Sequence, residues 1–444
     1  MRSVARRLAA CIAVAGVALL CAAASASAGG ASLVRDINPS GGSNPTGFTE
    51  LAGQAFFAAS NGDPGAALWR SDGSAPGTQL VRGDITVAGL TNAGGTLFFV
   101  ARDGTHGEEL WRSDGTRSGT GLVRDINPGT ASSAPYLLTA VGGSLFFAAD
   151  DGTHGTELWR SDGTRAGTRM VRDIYPGAEA SDPYSFAAIG GTLFFSAYEP
   201  IHGYGLWRSD GTAAGTKVIN SGDPSGLTGV GGMLYFSNYD TTHGYELWRS
   251  DGTKAGTRLV RDINRGASSS DIRAITDVDG ELFFAASDGV HGNELWHSDG
   301  TGAGTRLVRD LAPGGRGSIP YGLTNLGGTV LFSAAGGPRG FELWRSDGTA
   351  AGTTLVRDIN PGSGGSAPKL LTNVGGTVYL SANDGTHGKE LWRSDGTLAG
   401  TTLVRDINPG TGGANPSGLA NVGGTLFFSA DDGVRGAELW KAVP

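Results

Sequence analysis

The chain has 444 residues, 77 of them glycine and 18 proline, with 39% hydrophobic residues and a net charge of −8. Glycine is more than twice as frequent as the roughly 7% of average proteins, yet Gly plus Pro stays below the roughly 25–30% that marks disorder, so a folded, turn-rich chain is expected. The acidic balance and the absence of a basic run exclude the electrostatic footprint of a nucleic-acid binder or of an anionic-lipid binder.

Residues 1–28 read as a secretory signal peptide. Arg2, Arg6 and Arg7 form a basic start, an uncharged and mostly apolar stretch follows from Leu8, and Ala26-Ser27-Ala28 fits a cleavage site. An uncleaved membrane anchor is the competing reading. Export to the extracellular space, the cell surface or a periplasm is expected, leaving residues 29–444 as the mature protein. Both cysteines, Cys11 and Cys21, fall inside the signal, so the mature chain is expected to be stabilised by its core without disulfides. Taking the three arginines away leaves 31 basic against 42 acidic residues, a net of −11. No later stretch reaches the roughly 18 apolar residues of a membrane helix, so no membrane insertion of the mature chain is expected.

From residue 33 onward the chain repeats. Its nine tryptophans, Trp69, Trp111, Trp159, Trp207, Trp248, Trp296, Trp344, Trp392 and Trp440, are spaced by 42, 48, 48, 41, 48, 48, 48 and 48 residues. A representative unit carries four short candidate strands: a weak one around residues 371–374, then 377–382, 390–394 and 402–407. Gly375-Gly376, Asp384-Gly385 and Asp395-Gly396 punctuate them as turns. The second strand brings adjacent aromatics, such as Phe98-Phe99, Phe146-Phe147 and Phe427-Phe428. Neighbouring strand residues point to opposite faces, so both faces of each sheet must be buried. Sheets packed between similar sheets meet that need.

The order of the strands predicts a ring. A lone fourth-type strand, residues 33–37, opens the mature chain, and a third-type strand, residues 438–440, closes it. The first can complete the last sheet, as in a closed β-propeller. An all-β fold is therefore expected, a single propeller of four-stranded blades closed by the N-terminal strand. Nine blades are favoured, although propellers typically have four to eight. An eight-bladed ring with one displaced unit and an open solenoid are the alternatives.

The phrase ELWRSDGT-x-x-GT, as in residues 342–353 and 390–401, resembles the ELWxxDGT repeat family of secreted bacterial proteins over about residues 33–444. The resemblance implies an exported propeller of undefined activity. Departures are Ala67 and Gly205 in place of Glu, His297 and Lys441 in place of Arg, and Lys217-Val218-Ile219-Asn220 as a fourth strand without Arg-Asp. The Ser-Asp-Gly-Thr turn is also similar to the Asp-box turn of sialidase-type propellers, in which an Asp side chain accepts backbone N–H bonds. Its spacing differs, and glycoside hydrolysis does not follow from it.

Residues repeated in every unit are expected to be structural. The recurring His106, His154, His202, His243, His291 and His387 read as turn residues bonded to backbone, since zinc would need ligands converging on one tetrahedral centre. The Asp-Gly turns at Asp103, Asp151 and Asp384 read as turn chemistry. Calcium is left open there as the one candidate cofactor. The Arg-Asp of the fourth strand, as in Arg124-Asp125, predicts ion pairs between neighbouring blades. No G-x-S-x-G, P-loop or H-E-x-x-H motif occurs.

The irregular units carry the candidate site. Two loops joining fourth to first strands are shortened, and the second, residues 220–226, falls between two tyrosine-bearing loops. One holds Tyr198, Glu199 and Tyr204; the other holds Tyr239, Asp240 and Tyr245. These six residues are the expected ligand-binding set, suited to a glycan by tyrosine's apolar face and polar tip. Tyr136, Tyr184 and Tyr321, each after a proline, form a second candidate. The expected function is an exported, monomeric, non-enzymatic binding or scaffold protein whose partner is a glycan or a cell-envelope protein. A secreted carbohydrate-active hydrolase or lyase on the same scaffold is the alternative, with no catalytic residue singled out.

Overall fold

The computed structural model describes residues 30–444; the expected signal peptide and both cysteines lie outside the described residues. The described chain forms nine four-stranded antiparallel sheets. We number them as blades I–IX: residues 46–82, 86–124, 136–172, 184–221, 225–261, 273–309, 321–357, 369–405 and 417–442. Blade IX gains its outermost strand from the N-terminus, where Ala31–Arg35 pairs antiparallel with Ala437–Ala442 and Leu33 faces Trp440. The first strands stand side by side around the centre, and Thr46–Leu51 of blade I meets Ser417–Val422 of blade IX. The ring is thus closed, and it has nine blades rather than eight. The only helical turn among the described residues is the short Gly337–Arg339, and none of their helices is long and apolar enough to cross a membrane.

In the representative blade VIII the strands are Lys369–Val374, Thr377–Asn383, Lys389–Ser394 and Thr402–Arg405. The first strand is longer than its sequence suggests and the fourth is shorter. The apolar core lies between blades. Phe99 packs with Phe56 and Leu68 of blade I, while its neighbour Phe98 packs with Leu145 and Phe147 of blade III. Both rings are at most 2% exposed. A pair of adjacent aromatics therefore anchors a blade to both of its neighbours, as strand alternation requires.

The repeated motif is a set of joints. In blade II, Ser113 Oγ lies 2.7 Å from Thr120 Oγ1 and accepts Gly115 N–H at 2.9 Å, while Asp114 accepts Thr116 N–H at 2.8 Å. Gly115 sits at φ +92°, and a Cβ there would lie 2.9 Å from the Phe56 ring of the preceding blade. Only glycine meets both conditions. The third-strand arginine also crosses to the next blade: Arg160 donates to the Gly211 carbonyl at 3.3 Å and Arg249 to that of Gly300 at 2.8 Å.

The fourth-strand Arg-Asp does not form the expected inter-blade ion pair. Its arginine does cross the interface, but toward a carbonyl and a ring. Arg124 donates to Thr168 O at 2.7 Å and lies 5.7 Å from the Trp159 ring centre. The aspartate stays with its own blade, where Asp125 accepts Gly129 N–H at 3.2 Å. Arg124 ends the strand Gly121–Arg124, whereas Asp125 opens the loop that follows and is engaged there, so only the arginine reaches the neighbour.

Candidate functional site

Loops joining fourth to first strands share one face of the ring with those joining second to third strands. A buried glutamate at the start of the third strand holds each long fourth-to-first loop. Glu109 accepts the N–H groups of Ile126 (3.0 Å), Asn127 (3.2 Å) and Ser133 (3.1 Å) and the Ser133 hydroxyl (2.7 Å). Glu157, Glu246, Glu294, Glu342, Glu390 and Glu438 occupy the same place, all at 0% exposure. The loop that each holds has ten or eleven residues, and for Glu438 it is residues 36–45, after the N-terminal strand. Where Ala67 and Gly205 replace the glutamate, the loop shrinks to residues 83–85 and 222–224. Glutamate and long loop come together because a buried carboxylate persists only when donors satisfy it. A Cβ on Gly205 would lie 2.8 Å from the Asn220 carbonyl oxygen, whose strand runs on through Ser221 in this blade.

The short loop of blade IV is Gly222-Asp223-Pro224, and Asp223 is its working residue. Its carboxylate accepts the hydroxyls of Tyr184, on the first strand of blade IV, and of Tyr245, on the third strand of blade V, the latter at 2.6 Å. That bond, followed by burial, pushes the Tyr245 phenol up to about 12. Burial, then the same carboxylate, raises Tyr184. Both phenols therefore remain donors over the whole accessible pH range.

A run of rings extends to either side. Tyr184 lies edge-on to Tyr204 at 5.6 Å, Tyr204 to Tyr198 at 5.3 Å, and Tyr198 approaches Tyr175 at 5.6 Å. Beyond Asp223, Tyr245 packs on Tyr239 at 5.2 Å. Tyr136 joins at the blade III side: burial, with Asp182 and Tyr204 nearby, lifts its phenol to about 12. Tyr136, Tyr204 and Tyr239 are 39%, 36% and 43% exposed, so the run offers aromatic faces to solvent.

Four of the six expected site residues, Tyr198, Tyr204, Tyr239 and Tyr245, thus lie along one run. Glu199 and Asp240 serve the loops instead. Asp240 accepts Thr242 and His243 N–H and meets His243 Nδ1 at 2.8 Å, and Glu199 pairs with His202. The recurring histidine is bonded through its ring to a carboxylate, not to backbone as expected. In blade II, burial raises Asp103, but hydrogen bonds from His106 and Thr105 outweigh it and hold the carboxyl at about 2, while the Asp103 bond raises His106. The second candidate set divides. Tyr136 and Tyr184 belong to the run, whereas Tyr321 stands apart against Phe341 at 5.5 Å. Asp223 was missed, although it lies in the short loop that marked the notch. Its role depends on two tyrosines 39 and 22 residues away, a contact that no local pattern announces. Among the described residues, no group of three or more His, Cys, Asp or Glu is placed to hold a metal ion.

No family model matches the chain, and no curated protein matches it. Among solved structures it is similar to the computationally designed protein Ika8, with a TM-score of 0.44 and 18% identity over 80% of this chain and 98% of that one. It is also similar to a prolyl endopeptidase, at 0.43 and 12% over 79% of this chain and 52% of that one. Oligopeptidase B from Leishmania major follows, at 0.40 and 12% over 76% and 53%. The chain spans about half the length of these two peptidases, and no activity is carried over from them.

Proposed function

We propose that the protein is an exported, monomeric, non-enzymatic binding propeller of the ELWxxDGT repeat family, and that the tyrosine run across blades IV and V takes a glycan. One observation carries this reading. Seven of the ten tyrosines gather, directly or through Asp223, at the place where the repeat is interrupted. Elsewhere the repeated side chains are engaged in holding blades and loops together. Exposed rings suit the apolar faces of sugars, and phenol tips and nearby carboxylates suit their hydroxyls. Asp223 fixes Tyr184 and Tyr245, so little ordering is left to be done on binding.

The glutamates with raised pKa values are fully buried and bonded to loop N–H groups in blade after blade. Burial explains their titration without a catalytic role. The test is a glycan array probed with the purified protein, with calcium and with chelator. Selective binding lost in Tyr198→Ala and Tyr239→Ala is expected. Binding that survives both substitutions would refute the site. A blank array in both buffers would redirect the reading to a cell-envelope protein partner, and chelator sensitivity would bring calcium to the Asp-Gly turns.

A further inference from the structure

Eight of the nine blade interfaces are bridged in the same way. Arg35, Arg82, Arg124, Arg172, Arg261, Arg309, Arg357 and Arg405 each donate from the fourth strand to the equivalent carbonyl of the next blade, and Arg261 also to that of Gly302. In six of them the guanidinium also lies 4.9–5.8 Å from the neighbouring tryptophan ring. The ninth interface, from blade IV to blade V, has Asn220 at that position, as shown by the pairing of Trp207 with Val218 and of Trp248 with Leu259.

Asn220 is too short to cross, and its side chain makes no hydrogen bond among the described residues. The consequences are visible on the far side. Trp248 is the one tryptophan that is not buried, and Thr257 is more exposed than the equivalent Thr78, Thr120, Thr168, Thr216, Thr305, Thr353 and Thr401. Beside Asn220 a cavity opens along the fourth strand of blade IV, lined by His202, Val218, Ile219, Asn220, Ser221 and, from blade V, Lys254.

We propose that this cavity is a docking site for an arginine side chain of a partner protein. Entering past Asn220, the guanidinium would take the position that the chain's own arginines take elsewhere, facing the Trp248 ring and the Thr257 carbonyl, which are not themselves among the cavity's lining residues. An acidic chain favours a cationic partner at long range. Lys254 does not exclude it, because Arg117 and Arg165 occupy the equivalent turn position in blades II and III. There the bridging Arg82 and Arg124 are nevertheless in place. Lysine would be a poorer ligand, since a planar guanidinium can stack on the ring and donate in the ring plane together, whereas an ammonium cannot. This proposal is independent of the glycan reading: the cavity runs beside the fourth strand of blade IV, and none of its lining residues belongs to the tyrosine run.

The test uses the purified protein and the capped peptide Gly-Ser-Arg-Ser-Gly, with lysine and citrulline counterparts. The Trp248 indole N–H resonance, assigned with Trp248→Phe, reports binding. The arginine peptide is expected to shift it with at least tenfold higher affinity than either counterpart. Asn220→Arg is expected to abolish the shift and raise the melting temperature, because it restores the bridge seen at the other eight interfaces. Equal response to all three peptides would overturn the proposal. So would a shift that persists in Asn220→Arg, or a response to galacturonate with the arginine peptide inert. Failure of Asn220→Arg to fold would overturn it as well, since the position would then not accept a guanidinium.

Discussion

Blades VII and VIII meet in the regular way, and blades IV and V do not. At the first interface Leu331, Leu343, Val356, Ile359, Val378, Leu380, Ala382 and Trp392 form the buried cluster, Arg357 bonds Thr401 O at 2.7 Å, and Glu342 clips the long loop. At the second, Phe194, Leu206, Ile219, Leu227, Leu234 and Phe236 are buried, with Trp248 only partly so. Blade IV has neither the glutamate nor the arginine. Blade I separates these two losses: Ala67 removes the glutamate and the loop is short, yet Arg82 still reaches Thr120 O at 2.7 Å. Loss of the clip therefore accompanies loss of the loop it serves. Loss of the arginine is a separate change, confined to one interface.

The comparison can be broken most sharply at its tryptophans. Trp392→Ala empties a closed interface and is expected to cost about 3–5 kcal/mol. Trp248→Ala removes a ring that is partly solvated already and should cost about half as much or less. Chemical denaturation of the two variants checks this, and equal losses would mean that the interfaces are equivalent. Next in size is Glu342→Ala. It strands the N–H groups of Ile359, Asn360 and Ser366 and the Ser366 hydroxyl, at about 3 kcal/mol, since each buried unsatisfied group costs roughly 1–3 kcal/mol before water enters. Hydrogen exchange should quicken in residues 358–368 before it does elsewhere. Arg357→Asn would copy blade IV into blade VII. Losing one charged hydrogen bond and one ring contact should cost about 1–2 kcal/mol and bring the Trp392 indole closer to solvent, which its fluorescence would report.

The ring was legible in the sequence because each of its elements is local or periodic. The tryptophan spacing fixed the unit, Phe98-Phe99 demanded two buried faces, and residues 33–37 supplied the missing strand of the last sheet. What was not legible was partnership across blades. Ala67 and Gly205 were visible as missing glutamates and the two short loops as missing residues, but the bond joining them is a buried carboxylate reaching 17–24 residues ahead. Arg-Asp suggested an ion pair by composition, but the strand ends at the arginine, which reaches a carbonyl of the next blade, while the aspartate serves the loop that follows. Four tyrosines of the candidate site were found from loop positions. Asp223 was not, because its partners come from two different blades.

Titration offers the finest distinction, one within the regular blades themselves. Glu109 accepts four donors, whereas Glu157 accepts three, Ile174 N–H, Tyr175 N–H and the Ser181 hydroxyl, because Ser181 N–H turns to Thr156 O. Glu246 accepts only the N–H groups of Ile263 and Asn264, with both the N–H and the hydroxyl of Ser270 given to Tyr245 O. Burial pushes both Glu157 and Glu246 up to about 7 from the ordinary 4.5, and fewer bonds pull them back. A carboxyl whose folded pKa is raised binds more protons in the folded state. Its contribution is full below about 4.5 and is lost as pH rises through about 7. The histidines raised by their aspartate partners, His106 and His243 among them, act in the same direction at the upper end of that window. The melting temperature should therefore fall by a few degrees between pH 5 and pH 8. Glu157→Gln and Glu246→Gln should flatten that slope, whereas Glu109→Gln, which removes a better-satisfied carboxylate, should lower the whole curve and change its slope less. A wild-type curve that rises over this window would show that the buried carboxylates are ionised throughout and that the extra donor makes no difference.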